Sequence, residues 1–238
     1  MLITEHDIKQ MVSESICKIL LERINVVDEK LFPLAKYIYD IVYNEVLKEN
    51  YNINILINLE TIKKYYPYNN PKPLTIIAKF FEDDDKTKML YDVQKIVINL
   101  NMFFESSESM NCSNILHELT HYVNDCEGTI SDVRTPQIKN KLTENIYLLI
   151  YLLRDTECNA RCSQFGFYLK QEPNIKDIND YEKITHVKKI ESLIDYMLLN
   201  NINLKIFNNK TIKYYQNIYK KYKQKIFKIY YFYLKEKK

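Results

Sequence analysis

The sequence predicts an α+β fold, because helical and strand-like patterns occupy separate stretches of the chain. Apolar residues recur with helical spacing in residues 1–50 and alternate with polar residues in 51–101. Helical spacing then returns in the stretches 109–168 and 178–238. No internal repeat and no linker rich in Pro, Ser or Gly interrupts the 238 residues. We therefore expect one domain, in which a small, mostly antiparallel sheet packs on one of the later helices.

Two helices and the sheet are expected before residue 101. The first helix has Thr4 as its N-cap and an apolar stripe from Ile8 to Leu20, and the second begins at Pro33. The acidic stretch Glu82–Asp85 is expected to form a solvated turn between strands, because Asp is common in turns. The expected strands are Ile53–Leu59, Thr75–Phe81, Lys88–Tyr91 and Lys95–Leu100.

Four helices are expected in the second half of the chain. They cover residues 112–126, 143–164, 178–200 and 210–235. Gly128 is expected to end the first of them as a left-handed C-cap, and the second is expected to stop before Gly166.

The composition excludes several classes of protein. Loops that cradle phosphate need several glycines, and this chain has only Gly128 and Gly166, which rules out a P-loop or a dinucleotide fold. No apolar run reaches the roughly 18 residues of a membrane-spanning helix. Glu5 and Asp7 stand where a signal peptide would carry basic charge. We therefore expect a cytoplasmic protein whose five cysteines are reduced thiols.

The segment from His117 to His121, with the sequence HELTH, indicates a metal site. Residues four apart lie on the same face of a helix, so the two imidazoles can bind one metal ion without distorting the backbone. Glu118 can reach a water molecule held on the metal and act as general base. Apolar residues on the other face of the helix can anchor it in the core.

A catalytic zinc site needs a third protein ligand, and Glu157 is the preferred candidate. It interrupts the apolar stripe of the helix predicted at 143–164, where an unpaired buried carboxylate would be strongly destabilising. The alternative for Glu157 is an ion pair with Arg154 or Arg161. Glu127 is a second candidate ligand, but the neighbouring glycine favours a helix end there.

The cysteine pair Cys158 and Cys162 has the i, i+4 spacing that could also meet a metal ion. Zinc sites built from cysteine usually combine two such pairs, and no second pair is present at zinc-finger spacing. We therefore expect both cysteines to be packing residues.

The HELTH motif and the later segment Asp155–Arg161 together resemble the zincin metallopeptidases, most closely the gluzincin-like group. This resemblance extends from residue 75 to residue 168. It implies a zincin-like fold, and it implies that Lys95–Leu100 is the edge strand that binds an extended peptide. The thermolysin-type pattern has an Asp four residues after the ligand Glu, whereas this chain has Arg161, so the group that supports the ligand must differ.

The same resemblance implies a zinc metallopeptidase acting on a peptide or protein substrate. Zn²⁺, held by His117, His121 and Glu157, polarises the scissile carbonyl, and Glu118 passes a proton from water to the leaving amine. A further donor usually stabilises the oxyanion. The candidate for that catalytic role is His186, which could also lie simply at the surface; its competitors are Tyr168 and Tyr181.

Residues 210–238 form a basic tail with ten Lys and one Glu. Apolar and aromatic residues recur at helical spacing from Tyr215 to Ile229, which predicts a basic amphipathic helix. Packing on its own domain explains such a helix, but an anionic partner such as nucleic acid or a membrane surface is an alternative. Two other functions therefore stay open: a catalytically silent zincin-fold binding or structural protein, and a nucleic-acid-associated factor.

Overall fold

The computed structural model describes residues 29–65, 70–81, 89–128, 141–171, 178–200 and 209–235. Within these ranges the chain is α+β, as predicted, and mostly helical with one small sheet. The predicted first helix, the acidic stretch Glu82–Asp85 and Cys17 lie outside the described residues.

The described elements follow the expected order, with a short 3-10 turn before the first helix and another after residue 177. The strands are β1 (Asn52–Ile57), β2 (Leu74–Lys79), β3 (Met89–Tyr91) and β4 (Lys95–Asn99). The helices are α1 (Phe32–Leu47), α2 (Leu59–Tyr65), α3 (Leu100–Glu105), α4 (Glu108–Cys126), α5 (Lys141–Leu152), α6 (Asp155–Gln171), α7 (Glu182–Thr185), α8 (Val187–Leu199) and α9 (Asn209–Lys235).

The sheet is mixed, with the strand order β1-β2-β4-β3. The pairs β1–β2 and β3–β4 are antiparallel, whereas β2 and β4 are parallel. The expectation of a mostly antiparallel sheet therefore holds for two of the three pairings. The strand expected at the edge, β4, is instead internal, because the short β3 pairs along its outer side.

Two helices that the sequence did not predict, α2 and α3, follow directly after strands. Asn58 accepts a hydrogen bond from the Thr61 amide at 2.9 Å, and Asn99 accepts one from the Asn101 amide at 3.0 Å. Both are side-chain N-caps, which satisfy backbone donors that a new helix leaves open. Consequently, β1 ends two residues and β4 one residue before the ends predicted from apolar patterning.

The first hydrophobic cluster lies between the sheet and the helices α1 and α4. Its fully buried members include Ile38 of α1, Ile76 and Ile96 of the sheet, and Ile115 and Leu119 of α4. Burying each such side chain contributes about 1.5–3 kcal/mol. The sheet and α1 therefore hold the helix that carries the HELTH motif.

The second hydrophobic cluster is formed by α5 to α9. The predicted amphipathic helix of the tail is present as α9, and its apolar stripe, including Ile212, Tyr222 and Ile226, is buried there. Packing accounts for the helical period of the tail, while Lys213, Lys220 and Lys221 stay exposed. None of the described helices, α9 included, is both long and apolar enough to cross a membrane.

Two predicted helices prove to be broken. The helix expected at 143–164 ends at Leu152, and α6 starts anew at Asp155 and continues past Gly166 to Gln171. The helix expected at 178–200 is interrupted at His186, which has a left-handed backbone with φ of 51°. Neither break contains Gly or Pro, so the sequence offered no local signal for it.

Tyr122 of α4 fastens this helix to the segment that leads into β2. Its hydroxyl donates to the Lys72 carbonyl at 2.6 Å and accepts from the Lys72 amide at 3.1 Å. The ring is fully buried. Lys72 also bonds the Asp125 carboxylate through its Nζ at 3.1 Å, which gives the segment before β2 a second contact with α4.

Replacing Tyr122 with Phe should lower the free energy of unfolding by about 1–3 kcal/mol, because two backbone groups of Lys72 lose a buried partner. Urea unfolding followed by circular dichroism measures this loss. The matched control Tyr231→Phe removes a hydroxyl from a ring that is 54% exposed, and should change stability by less than about 0.5 kcal/mol. Equal effects of the two substitutions would contradict the role assigned to Tyr122.

Candidate metal centre

The helix α4 presents both histidines of the HELTH motif on one face. Ser107 caps its start by accepting a hydrogen bond from the Met110 amide at 3.2 Å. Gly128, with φ of +70°, follows its end in the left-handed conformation expected of a C-cap glycine. The helix starts at Glu108, four residues earlier than predicted, because Ser107 supplies a cap that apolar periodicity does not reveal.

Three side chains converge beside α4: His117, His121 and Glu157. The two Nε2 atoms are 3.2 Å apart, and Glu157 lies 3.6 Å from the first through Oε2 and 3.3 Å from the second through Oε1. In the described part of the chain, this is the one group of three His, Cys, Asp or Glu residues arranged to hold a metal ion. All three are at most 15% exposed.

Glu157 reaches the histidines from the first turn of α6, which packs along α4. The sequence indicated its burial from an apolar stripe that runs through residues 143–164. That stripe is not continuous, because the chain breaks after Leu152. Glu157 is nevertheless buried, and after the break it lies in the first turn of the new helix α6, beside the histidines.

Arg161 is the second partner of Glu157. Its Nη2 donates to Glu157 Oε2 at 3.0 Å, and its Nη1 donates to the Leu152 carbonyl at 3.1 Å. The latter contact satisfies a carbonyl that α5 leaves open at its end. The two interpretations of Glu157, as metal ligand and as ion-pair partner of Arg161, are thus compatible. Arg154 instead lies over the ring of Tyr151.

Electrostatics around Glu157 favour its ionised form. Burial alone would raise the pKa of this carboxyl, but the neighbouring His117 and His121 imidazoles and the charge of Arg161 hold it far below its usual range. In return, Glu157 raises the pKa of His121 in spite of burial. The carboxylate therefore has the charge state that a metal ligand requires.

Glu118 points from the same turn of α4 toward the edge strand β3. It is 9% exposed, and burial raises the pKa of its carboxyl, although the neighbouring histidines oppose the shift. The carboxylate accepts a hydrogen bond from the Tyr91 backbone amide. The backbone groups of Asp92 and Lys95 form two hydrogen bonds with each other. Because hydrogen-bonded and non-hydrogen-bonded pairs alternate along an antiparallel ladder, the amide of the preceding residue, Tyr91, points away from β4.

The position of that amide is held by the side chain of the same residue. The Tyr91 hydroxyl donates to Asp125 Oδ2 at 2.6 Å and accepts from the Gln94 amide at 2.7 Å. Asp125 belongs to the last turn of α4. The motif helix is therefore tied to the edge strand at both Glu118 and Asp125.

A cavity of about 330 Å³ opens beside the histidine pair. Its lining comprises Met89, Met110, Asn114, His117, Glu118, Tyr151, Arg161, Gln164, Lys183, Ile184 and His186. The volume is at the lower end of the range of about 300–1,000 Å³ that ligand sites show. Side chains of α4, α6 and the α7–α8 junction therefore line the same cavity.

His186 lines this cavity from the left-handed break between α7 and α8. Burial, reinforced by the positive charges of Arg161 and Lys189, lowers its pKa to about 4, so the imidazole is neutral at pH 7. The competing tyrosines lie elsewhere: Tyr168 and Tyr181 stack edge-to-face on each other in the second hydrophobic cluster.

Tyr151 is a cavity residue that the sequence did not single out. Its hydroxyl end faces Glu157, and burial of that end together with the Glu157 charge raises the pKa of the phenol. The residue is 39% exposed, and the guanidinium groups of Arg154 and Arg161 lie over its ring at 5.6 and 5.7 Å from the centroid. Nothing in the local pattern distinguishes it from the other 20 of the 21 tyrosines.

The remaining candidates lie away from the histidines. Glu127 is the exposed C-cap residue of α4 and does not join the cluster. Cys158 and Cys162 are buried in the second hydrophobic cluster, where burial raises the pKa of each thiol to about 12. They are packing residues, as predicted, and Cys112, Cys126, Cys158 and Cys162 are all free thiols.

Comparisons with protein-family models, curated proteins and solved structures find no match to this chain. The class of site is therefore defined by its geometry alone: two histidines one helical turn apart, a carboxylate from a second helix, and a neighbouring glutamate on a cavity.

Replacing Arg161 with Met should destabilise the metal-free protein by about 3 kcal/mol, because a buried carboxylate loses its guanidinium partner. Adding Glu157→Gln should recover part of the loss, because the uncompensated charge is then gone. Urea unfolding of protein treated with a chelator measures both effects.

The matched control for this pair is Lys170→Met. Lys170 forms an ion pair with Glu29 in which both side chains are about half exposed, and such pairs contribute at most about 1 kcal/mol. A loss in Arg161→Met no greater than in the control, or no recovery in the double variant, would contradict a buried ion pair.

Proposed function

We propose that this chain is a zinc-dependent peptidase of the zincin type. The convergence of His117, His121 and Glu157, with Glu118 on the adjoining cavity, carries the proposal. Three protein ligands from His and Glu are the set that catalytic zinc sites use, leaving a fourth position for water or substrate.

The spacing of the three ligand side chains is compatible with zinc. Zinc bonds to nitrogen and oxygen of about 2.0–2.2 Å at tetrahedral angles place neighbouring ligand atoms about 3.3–3.6 Å apart. The two Nε2 atoms are 3.2 Å apart, and the nearest Glu157 oxygens lie 3.3 Å from His121 through Oε1 and 3.6 Å from His117 through Oε2. Metals that prefer octahedral oxygen sites, such as magnesium, would favour closer spacing and fewer imidazoles.

Glu118 is the proposed general base. A bound zinc ion would supply a Lewis acid that polarises a carbonyl group and lowers the pKa of a water molecule toward neutrality. Glu118 accepts a proton from the attacking water at its carboxylate and delivers it to the leaving amine nitrogen. In this step the water oxygen forms a bond to the carbonyl carbon and the carbon–nitrogen bond breaks. The Tyr91 amide keeps the carboxylate in place.

His186 and Tyr151 are the proposed donors to the carbonyl oxygen, which becomes negatively charged during the reaction. Both line the cavity with Glu118. A neutral imidazole and a protonated phenol each offer one hydrogen-bond donor, and donors aimed at developing charge are a major source of rate enhancement.

The free edge of β3 supports binding of an extended peptide. In the zincin resemblance an edge strand beside the motif helix binds substrate; β3 rather than β4 has that position among the described strands. By the alternation of the ladder, the backbone groups of Met89 also point away from β4, and Met89 lines the cavity. A peptide can add to this edge as a further strand.

Purified wild-type protein should contain one zinc ion per chain, and His121→Ala and Glu157→Gln should lose it, because each removes a ligand. Elemental analysis by mass spectrometry measures the metal content. The control Glu127→Gln alters a neighbouring acid outside the cluster and should keep its zinc. Stoichiometric zinc unaffected by either ligand substitution would end the proposal.

Glu118→Gln should retain zinc and lower the rate of peptide cleavage by at least about 10²-fold, since the general base is lost. A comparison of newly formed peptide termini in a cell lysate, after incubation with the wild type or with the variant, identifies the products. Chelator-treated wild type provides the metal-free control. Identical products from the wild type and Glu118→Gln would show that the cleavage does not originate at this site.

A further inference from the structure

Two of the residues that line the cavity beside the metal centre, Arg161 and Lys183, carry positive charge, and Glu118 is the one carboxylate of the lining. Arg161 is paired with the Glu157 carboxylate behind the lining at 3.0 Å, so Lys183 is the cation of the lining that has no carboxylate partner among the described residues. A divalent metal ion held by Glu157 and the histidines would give the cavity a positive potential, which favours negatively charged groups.

Lys183 supplies the cation at the exposed side of this cavity. It belongs to α7, and its side chain is exposed and makes no ion pair with any residue of the described ranges. The acid next to it, Glu182, is otherwise engaged: its two carboxylate oxygens accept the amides of Lys188 and Lys189, each at 2.9 Å. That contact caps the start of α8, so Glu182 does not pair with Lys183.

The inner cation, Arg161, is directed toward Glu157 and the Leu152 carbonyl. Both contacts are made within the protein, and Arg161 itself is buried. Lys183 is therefore the group that can contact a ligand directly.

We infer that this cavity recognises a carboxylate of the substrate, so that the preferred substrates are acidic peptides in which Lys183 pairs with that carboxylate. The inference rests on the proposed peptidase function for its substrate class. The carboxylate could be an Asp or Glu side chain beside the scissile bond or the C-terminal group of the peptide. Both offer the same oxygen acceptors to an ammonium group.

The test uses zinc-loaded Glu118→Gln protein, which binds peptide without turning it over. Fluorescein-labelled peptides of one sequence carry Glu, Gln or Lys at a single central position, each with a free or an amidated C-terminus. Fluorescence anisotropy should give the Glu peptide about fivefold tighter binding than the Gln peptide, and the Lys peptide the weakest. A preference that follows the C-terminus and not the side chain would identify the terminal carboxylate as the group bound.

Two substitutions on the zinc-loaded Glu118→Gln background locate the effect. Lys183→Met should abolish the preference for carboxylate, and Lys183→Glu should reverse it in favour of the Lys peptide. Lys213→Glu introduces the same charge change on the exposed face of α9 and should leave the preference intact. Thermal unfolding of each variant checks that it is folded.

Equal binding of all peptides by the Glu118→Gln protein, or a preference that survives Lys183→Glu, would overturn the inference. Cleavage dependent on Glu118 would still support the peptidase in that case. A third outcome is a carboxylate preference that depends on Lys183, together with a wild type that cleaves none of these peptides and yields no products in lysate. That outcome would overturn the peptidase and support recognition of acidic ligands at this cavity.

Discussion

The carboxylate of Glu157 is the group on which the arrangement of the site depends. It lies between two imidazoles of α4 and the guanidinium of Arg161, and a buried carboxylate is stable only where such partners replace its hydration. Because the histidines and the carboxylate belong to different helices, these contacts fix how α4 and α6 face each other. Arg161 extends the constraint to α5 through the Leu152 carbonyl.

Arg161 gives the candidate metal ligand Glu157 a supporting group that differs from the thermolysin-type pattern. That pattern has an Asp four residues after the ligand glutamate, whereas in this chain the guanidinium of Arg161 bonds Glu157 directly. Groups around a metal ligand orient it and tune the metal. A positive charge on the ligand carboxylate withdraws negative charge from the metal, which would leave a zinc ion there a stronger Lewis acid.

The site is assembled where the two hydrophobic clusters meet. The helix α4 is held by the sheet and α1, whereas α6 packs with the later helices, including the basic α9. His117 and His121 thus come from one cluster and Glu157 from the edge of the other. The cavity is completed by His186 at the α7–α8 break, so its shape depends on both clusters being folded. Lys213, Lys220 and Lys221 of α9 stay exposed, whereas Lys225 donates to Asn159 of α6 at 3.0 Å.

Local patterns in the sequence determined the elements and the half of the site that one helix carries. The spacing of His117 and His121, the start of α1 within one residue of Pro33, and the strand periodicity depend only on neighbours along the chain, and they could be read from it. Contacts between distant segments decide the internal place of β4, the break after Leu152 and the position of Tyr151, one of many tyrosines, at the cavity. Glu157 stands between these cases: its burial was predictable from its apolar neighbours, but its simultaneous contact with two histidines and Arg161 was decided by tertiary packing. Hydrogen bonds between strands and ion pairs between buried charges form between residues far apart in sequence. Local periodicity does not indicate which residues become such partners.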